Sequence, residues 1–274
     1  MEPVNLLFTV DDAYVEQLKV TLYSVKRNLS AAEVHVYLLQ KTLLRKNDQL
    51  ARFCQTLDYH YHPIIVGDQP FKDAPTTDRY PDTIYYRLLA HAFLPEDMNK
   101  ILYLDADILC LNDFREFYQQ ELGLNLYAAA SHNADSKVMD VINQLRLQNY
   151  EMESFYFNTG VLLMNLPMIR QTVERQDILE YIEKNRTKLI LPDQDVLNGL
   201  YADRVQAVPD EIYNYDARYS RLYQARSSGN WDIDWVIENT VFLHFAGRDK
   251  PWKPNYTTRY AALYKYMAKK AHEI

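Results

Sequence analysis

Glycine is scarce in this chain, six residues in 274, and none forms a G-x-G-x-x-G run behind the first apolar segment. The dinucleotide fingerprint, whose glycines let the backbone approach a pyrophosphate, is therefore absent. Positive charge is also short, with 30 Lys and Arg against 37 Asp and Glu, a net of -7. A nucleic-acid-binding domain would be basic, so that class of partner is not expected. Cys54 and Cys110 are the only cysteines, each in or beside an apolar stretch and without metal-ligand spacing. They read as reduced core thiols of a cytoplasmic protein rather than as a disulfide framework. No apolar run reaches the length of a membrane span. The opening MEPVNLLFTVDD lacks the basic region and long apolar core of a signal peptide, so none is expected. Internal repeats and low-complexity linkers are missing too, which favours one domain over 1–274.

The bulk composition is ordinary. Hydrophobic residues make up 48% and charged residues 24%, the balance of a chain that can bury a sizeable core. Tyrosine is the outlier, at 23 residues. Its flat face and hydroxyl suit stacking on sugars or bases, but 23 are too many for one pocket, so most are expected to be structural.

Apolar spacing predicts the order of elements. Val4 to Val10 reads as a strand. Val15, Leu18, Leu22, Val25 and Leu29 recur at three- and four-residue intervals, the mark of a helix with one buried face. A strand over Val34–Leu39, a helix over Leu43–Leu57 and a strand over Tyr61–Val66 follow, with Pro63 arguing for a sheet edge. Strand, helix, strand, helix, strand is the pattern of a parallel sheet covered by helices on both faces. Gly67–Asp82, with three prolines, is expected to be a polar loop, Thr83–Leu94 a helix, and Ser131–Tyr156 a polar helical insertion. Asn125–Ala130 and Phe157–Asn165 read as strands, with a helix within Ile169–Arg186. Ala202–Glu238 is rich in aromatics and has no clear period.

The strongest motif is KILYLDADILC, Lys100 to Cys110. An apolar strand delivers Asp105 and Asp107 at its carboxyl end, and in a fully extended chain residues two apart share a face. Adjacent carboxylates repel unless a cation lies between them. Their oxygens suit Mg²⁺ or Mn²⁺, ions that also hold phosphates. The plain alternative is an Asp-rich turn, which the apolar flanks Ile101, Leu102, Leu104, Ile108 and Leu109 argue against. Thr9 and Asp11 stand at the carboxyl end of the first strand, where open α/β sheets bind ligands, although Asp11 is equally suited to cap a helix. Arg87 presents a fork of donors for phosphate or carboxylate. Asn158 in Asn-Thr-Gly could hold sugar hydroxyls or make a turn. Asp193 and Gln194, in Leu-Pro-Asp-Gln-Asp, could floor a pocket. A helix start capped by Asp193 or Asp195 is the simpler account of that stretch. His244, on an apolar strand before Ala-Gly-Arg-Asp-Lys-Pro-Trp, could complete an Asp-Asp-His metal site. Gly247 and Lys250 in that run suit a close backbone approach and a phosphate.

Six segments, FTVDDAYVEQLKVTLYSV, YYRLLAHAFLP, KILYLDADILC, FNTGVLLMNL, LPDQDVLNG and HFAGRDKPW, occur in an order that resembles the bacterial members of glycosyltransferase family 8. These are the retaining lipopolysaccharide galactosyl- and glucosyltransferases related to glycogenin, and the resemblance covers nearly the whole chain. It implies a GT-A type α/β fold: a Rossmann-like nucleotide-binding mixed sheet flanked by helices. About 1–110 would bind the nucleotide, about 111–255 would shape the donor-sugar and acceptor side, and 256–274 would form a tail. It implies Asp105, Asp107 and His244 as ligands of Mn²⁺ or Mg²⁺. It places Thr9, Asp11 and Ala106 with the nucleotide, Arg87 and Asn158 with the donor sugar, and Gly247 and Lys250 with the diphosphate. Ala13 stands where the family often has a polar Asn, and is left out of the site. Gln194 and Asp193 take the catalytic positions, Gln194 facing the anomeric carbon and Asp193 holding a sugar hydroxyl.

The implied activity is transfer of galactose or glucose from a UDP-sugar to a cell-envelope glycan or glycolipid. A metal-dependent nucleotidyltransferase, a phosphatase or nucleotide-sugar hydrolase, or a non-catalytic sugar-nucleotide-binding protein would also use paired acids. The nucleotidyltransferase and the phosphatase or hydrolase need not have FNTG, LPDQD and HFAG together, and the binding protein would bind the sugar nucleotide without turnover. The tail carries Arg259, Lys265, Lys269 and Lys270 among Tyr260, Leu263, Tyr264, Tyr266 and Met267. That mix fits a helix lying on the inner membrane surface or a packed terminal helix, and the acidity of the whole chain favours the second.

Overall fold

Two alternating sets of apolar side chains build the large sheet. The computed structural model describes residues 3–29, 32–67, 71, 82–131 and 156–274. The loop expected over Gly67–Asp82 and the insertion expected over Ser131–Tyr156 lie, apart from their ends and Phe71, outside the described residues. Among the described residues seven strands form the sheet: β1 (Val4–Thr9), β2 (Val34–Gln40), β3 (Tyr59–Ile65), β4 (Lys100–Leu104), β6 (Tyr127–Ala130), β7 (Val161–Asn165) and β8 (Val205–Val208). Their order is β3-β2-β1-β4-β7-β6-β8. Leu6, Phe8, Val36, Leu38, Leu102, Leu104 and Leu163 pack into the core on one face. Leu7, Leu39, Ile101, Tyr103, Leu162 and Met164 pack on the other. Both faces are covered, so the strands read as unbroken apolar runs.

The sheet is mixed rather than all parallel. β3, β2, β1 and β4 run parallel, whereas β7 enters antiparallel between β4 and β6. The strand-helix alternation that signals parallel pairing ends after β4, which is why the first half alone predicted a parallel sheet. β3 is an edge strand, and Pro63 occupies it, opposite Leu38. Helix α1 (Val15–Asn28) buries Val15, Leu18, Leu22 and Val25, as their spacing requires. Helix α2 (Asn47–Thr56) starts four residues later than Leu43. The Gln40 side chain takes the Leu44 N–H and Asp12 takes the Arg45 N–H, holding that stretch in a turn.

Other expectations were too regular. The helix expected over Thr83–Leu94 is present as a tight 3-10 helix, Asp82–Ala92, interrupted by a kink at Leu89 (φ -113°). The helix expected within Ile169–Arg186 is two, Leu166–Thr172 and Arg175–Asn185, parted at extended Val173. Phe157 makes only an isolated bridge to Ser131, and the strand begins at Val161.

A second sheet holds β5 (Ile108–Cys110), β10 (Phe242–His244) and β9 (Tyr215–Asp216) in the order β5-β10-β9. The chain leaves the large sheet at β4 and enters the small one at β5, so Asp105–Asp107 is the crossing point. A polar stripe on α1 fixes it. The Thr21 hydroxyl lies 3.0 Å from the Ala106 carbonyl and 2.8 Å from that of Ile108. Ser24 accepts the Cys110 N–H, and Asn28 donates to the Cys110 carbonyl. Both cysteines are buried and unbridged, and burial pushes the Cys54 thiol up to about 12.

Ala202–Glu238 had no period because its elements are short: β8, β9 and helices of four to seven residues. Aromatic stacking holds it, with Tyr215 on Tyr223 at 4.2 Å and Trp231 on Trp235 at 5.1 Å. The tail forms a helix, Ala261–His272, packed on the core through Tyr260, Tyr264, Leu263 and Met267. Most of the apolar side chains that suited a membrane are thus used in packing. Lys265, Tyr266 and Lys269 face outward. Among the described residues no helix is long and apolar enough to cross a membrane.

Candidate active site

Asp105 and Asp107 converge, but not by the rule for an extended strand, because Ala106 and Asp107 form a turn. The pairing of β5 with β10 brings in the third group. Ile108 lies opposite His244, and the Phe245 N–H donates to the Asp107 carbonyl at 3.0 Å. His244 Nε2 then sits 3.1 Å from Asp107 Oδ1 and 3.7 Å from Asp105 Oδ2. One ligating atom from each of the three residues lies within 4.8 Å of the others. Gly160 closes the wall beside them. A Cβ there would come 2.4 Å from the His244 ring and 2.9 Å from Asp105, so only glycine fits without displacing the cluster.

The donor set fits a divalent cation. Asp107 is buried, and among the described residues its Oδ1 has no partner except His244 Nε2, 3.1 Å away, which serves as a donor only when the imidazole carries a proton there. A buried carboxylate oxygen without a donor is costly, and two oxygens with one imidazole nitrogen make a fitting set for Mn²⁺ or Mg²⁺. Without the cation the charges lean on each other. Burial raises the Asp107 carboxyl, but Lys250 and His244 outweigh it and hold it well below the usual range. Burial lowers the His244 imidazole, but Asp107 outweighs it and raises it.

Two side-chain chains run from this cluster to the start of helix Pro192–Tyr201. The first is ionic. Arg87 Nη1 lies 3.0 Å from Asp105 Oδ1, and Arg87 Nε lies 3.3 Å from Asp193 Oδ2. Arg87 is buried, donates to the Thr159 carbonyl (2.9 Å) and lies over the Tyr103 ring at 4.2 Å. It is a strut between two acids rather than a free phosphate fork. Asp193 also accepts from the Thr159 hydroxyl at 2.9 Å. Burial pushes its carboxyl up more than Arg87 pulls it down.

The second chain is made of neutral amides, and a backbone donor orients it. The Gly160 N–H donates to Asn158 Oδ1 at 2.9 Å. Asn158 Nδ2 therefore points at Gln194 Oε1, 3.2 Å away. Asn214 Nδ2 donates to Asn158 Oδ1 at 2.9 Å, leaving Asn214 Oδ1 to meet His244 Nδ1 at 2.9 Å.

The remaining expected residues divide. Lys250 Nζ donates to Asp107 Oδ2 and to the Phe245 carbonyl. The Thr9 hydroxyl lies 3.2 Å from the Tyr103 hydroxyl, which donates to Asp105 at 2.7 Å. Gly247 has φ +92°, and a Cβ there would meet Arg218 Nη1 at 2.8 Å. The Ala106 carbonyl is taken by Thr21. Asp11 is exposed and accepts the Ala13 N–H at 2.9 Å, the turn-capping role that its residue type also allowed. Asp195 is buried in the first turn of that helix and accepts the N–H groups of Ile190 and Leu191 just before it; neither it nor Asp193 is the N-cap, which is Leu191. Sequence reasoning missed Asn214, Tyr103, Thr159 and the Asp216–Arg218 pair (2.6 Å). Thr159 lay inside a quoted motif, whereas Asn214 and Arg218 sit in the aperiodic region and carried no signal.

An α/β sheet that hands its chain to a second sheet through Asp-x-Asp, opposite a histidine, is the GT-A arrangement of nucleotide-sugar glycosyltransferases. The same architecture is found in the crystal structure of galactosyltransferase LgtC in complex with donor and acceptor sugar analogs. That structure has a TM-score of 0.82 and 24% identity, over 97% of this chain and 96% of that one. The sequence model of glycosyl transferase family 8 matches residues 5–255, and the chain belongs to that family. It is 28% identical to a lipopolysaccharide 1,2-glucosyltransferase of Escherichia coli over 258 residues, covering 92% of this chain and 74% of the relative. It is 22% identical to general stress protein A of Bacillus subtilis, covering 93% and 89%. The chain is thus an enzyme that uses a UDP-sugar donor in metal-assisted transfer.

Proposed function

We propose that this enzyme is a retaining hexosyltransferase that moves glucose or galactose from the UDP-sugar to a cell-envelope glycan or glycolipid, with Mn²⁺ or Mg²⁺ at Asp105, Asp107 and His244. One observation carries the reading. Asp193 and Gln194, adjacent on one helix turn, are tied through separate side-chain chains to Asp105 and His244. A sugar-binding pair and a diphosphate-binding cluster are thereby fixed relative to each other, as transfer between them requires.

The cation, when bound, supplies charge stabilisation to the departing diphosphate. Lys250, held by Asp107 at the cluster, and Arg218 at its rim add positive charge on the same side. Asp193 holds a sugar hydroxyl. The Gln194 amide oxygen faces the anomeric carbon and stabilises its developing positive charge from the far side without forming a bond. The leaving phosphate takes the acceptor proton on the reacting face, so the anomeric configuration is kept. The enzyme works in the cytoplasm, and the tail is a packed terminal helix: Tyr260, Leu263, Tyr264 and Met267 lie on the core, and Lys265, Tyr266 and Lys269 alone are too small an outer face for a contact with the inner membrane surface.

A melting screen of UDP-, GDP- and CMP-sugars with Mn²⁺, followed by turnover and product-anomer analysis of the best binder, tests the reading. Stabilisation by UDP-glucose or UDP-galactose with an α-linked product supports it. A β-linked product, or stabilisation by a GDP-sugar alone, contradicts it. Sedimentation of the full chain with anionic liposomes that is lost when Lys265 and Lys269 are changed to Glu would contradict the packed-tail reading and restore the membrane contact.

A further inference from the structure

Among the described residues, one cluster of three ligating groups lies outside the active site: Glu33, His35 and His60. The parallel register of β2 and β3 sets His35 beside His60 and Tyr37 beside His62. The His35 and His60 rings stack at 4.7 Å. Glu33 Oε1 lies 3.1 Å from His35 Nε2 and 3.5 Å from His60 Nε2. A tetrahedral ion with bonds of 2.0–2.1 Å separates its ligand atoms by about 3.3 Å; the two spacings to Glu33 match that, and all three ligand atoms lie within 4.8 Å of one another. His35 Nδ1 lies 2.9 Å from His62 Nε2. A proton on His35 Nδ1, donated to His62, leaves a lone pair on His35 Nε2 facing the carboxylate, the arrangement that outer hydrogen bonds give metal-binding histidines.

We propose that Glu33, His35 and His60 bind a borderline transition ion such as Zn²⁺, with water in the fourth position and His62 orienting His35. Two imidazoles and one carboxylate favour Zn²⁺, Ni²⁺ or Cu²⁺ over the Mn²⁺ or Mg²⁺ that suits the oxygen-rich active site. The ion bridges β2 to the edge strand β3. Calorimetric titration of Zn²⁺ into the full chain, its Asp107→Asn variant and a Glu33→Gln variant tests this, with the melting temperature as second readout. Glu33 is exposed, so Glu33→Gln keeps the fold. Asp107→Asn should keep this site, with melting raised by about 5 °C at a hundredfold excess of Zn²⁺ over Kd. Glu33→Gln should lose at least tenfold in affinity, and His35→Ala with His60→Ala should lose the site. Identical isotherms for wild type, Glu33→Gln and the double histidine variant would overturn it.

A second inference rests on the proposed active site and comes from the amide chain. Because the Gly160 N–H fixes Asn158, and Asn158 fixes Asn214, the carbonyl of Asn214 must face His244 Nδ1. The structure assigns Asn214 as a positioning residue that keeps the proton on His244 Nδ1 and the lone pair of Nε2 toward Asp105 and Asp107. In the Mg²⁺-loaded wild type, nitrogen-15 spectra should show His244 protonated at Nδ1. Asn214→Leu should weaken Mn²⁺ binding about 10- to 100-fold. A proton on Nε2, or equal Mn²⁺ affinity in wild type and Asn214→Leu, would overturn the assignment. Absence of Mn²⁺ binding in the wild type would instead refute the metal reading on which it rests.

Discussion

The two chains that join Asp193 and Gln194 to the metal cluster start one residue apart and end on neighbouring ligands, yet they are built from opposite chemistry. The ionic chain, Asp193–Arg87–Asp105, is held by charge compensation. Its central guanidinium is buried between two acids, so removing one partner strands a charge. The amide chain, Gln194–Asn158–Asn214, has no charged member and reaches His244 by orientation, each amide set by its neighbour from one backbone N–H. The ionic chain therefore bears on stability and pH. The amide chain bears on which atom of each group faces the substrate or the metal.

The largest expected effect breaks the ionic chain. Arg87→Met leaves Asp105 and Asp193 without their buried cation and should cost about 3–5 kcal/mol, read as a fall in denaturant midpoint without cation or nucleotide. If stability is unchanged, the guanidinium is not the strut described. Gln194→Ala, at the end of the amide chain, should behave oppositely. Stability and donor affinity stay within about twofold of wild type while kcat falls roughly 10²-fold, because its contact strengthens as charge develops. A raised KM with unchanged kcat would make Gln194 a ground-state binder. Gly160→Ala lies where both chains meet. Its Cβ would press on His244 and Asp105, so Mn²⁺ affinity should fall by about tenfold or more while the large sheet survives. Unaltered affinity would show that the wall yields.

The smallest effect is on pH dependence, which only the ionic-chain variant should alter. Burial raises the Asp193 carboxyl above its unfolded value. The folded state therefore binds more protons between the two, and stability falls as pH rises from about 4 through the folded value. Asp193→Asn should remove that downward slope. Asn158→Ala changes no titrating group of its own and should shift the profile without altering its slope. Parallel profiles for wild type and Asp193→Asn would count against the buried, raised carboxyl.

The contrast also explains what could be read in advance. Residues that declare themselves by type and regular context were legible: the α1 stripe from Val15 to Val25, the strands β1 and β2, edge-strand Pro63, and the Asp105, Asp107 and His244 set. The mixed sheet was not legible from alternation, because β7 is inserted between β4 and β6 from far along the chain. The same-face argument for Asp105 and Asp107 reached a cluster the structure contains by a geometry it lacks. A turn, two sheets and the β5–β10 register bring these groups together. Arg87 was legible as a cation but not as a buried strut, since its partners lie 18 and 106 residues away. Asn214 had no signal at all. Its role depends on a hydrogen-bond direction set 54 residues earlier at Gly160, and it lies among elements too short to show a period.

The central claim, that Asp105, Asp107 and His244 hold the cation that makes a UDP-sugar diphosphate a leaving group, is tested most directly by UDP release. Release from UDP-glucose and UDP-galactose would be followed at saturating Mn²⁺ and in excess chelator, for wild type and Asp107→Asn. The account predicts release by the wild type only with the cation, and a loss of roughly 10²–10³-fold in Asp107→Asn that added Mn²⁺ does not restore. Equal release by the two proteins, or release undiminished by the chelator, would contradict it.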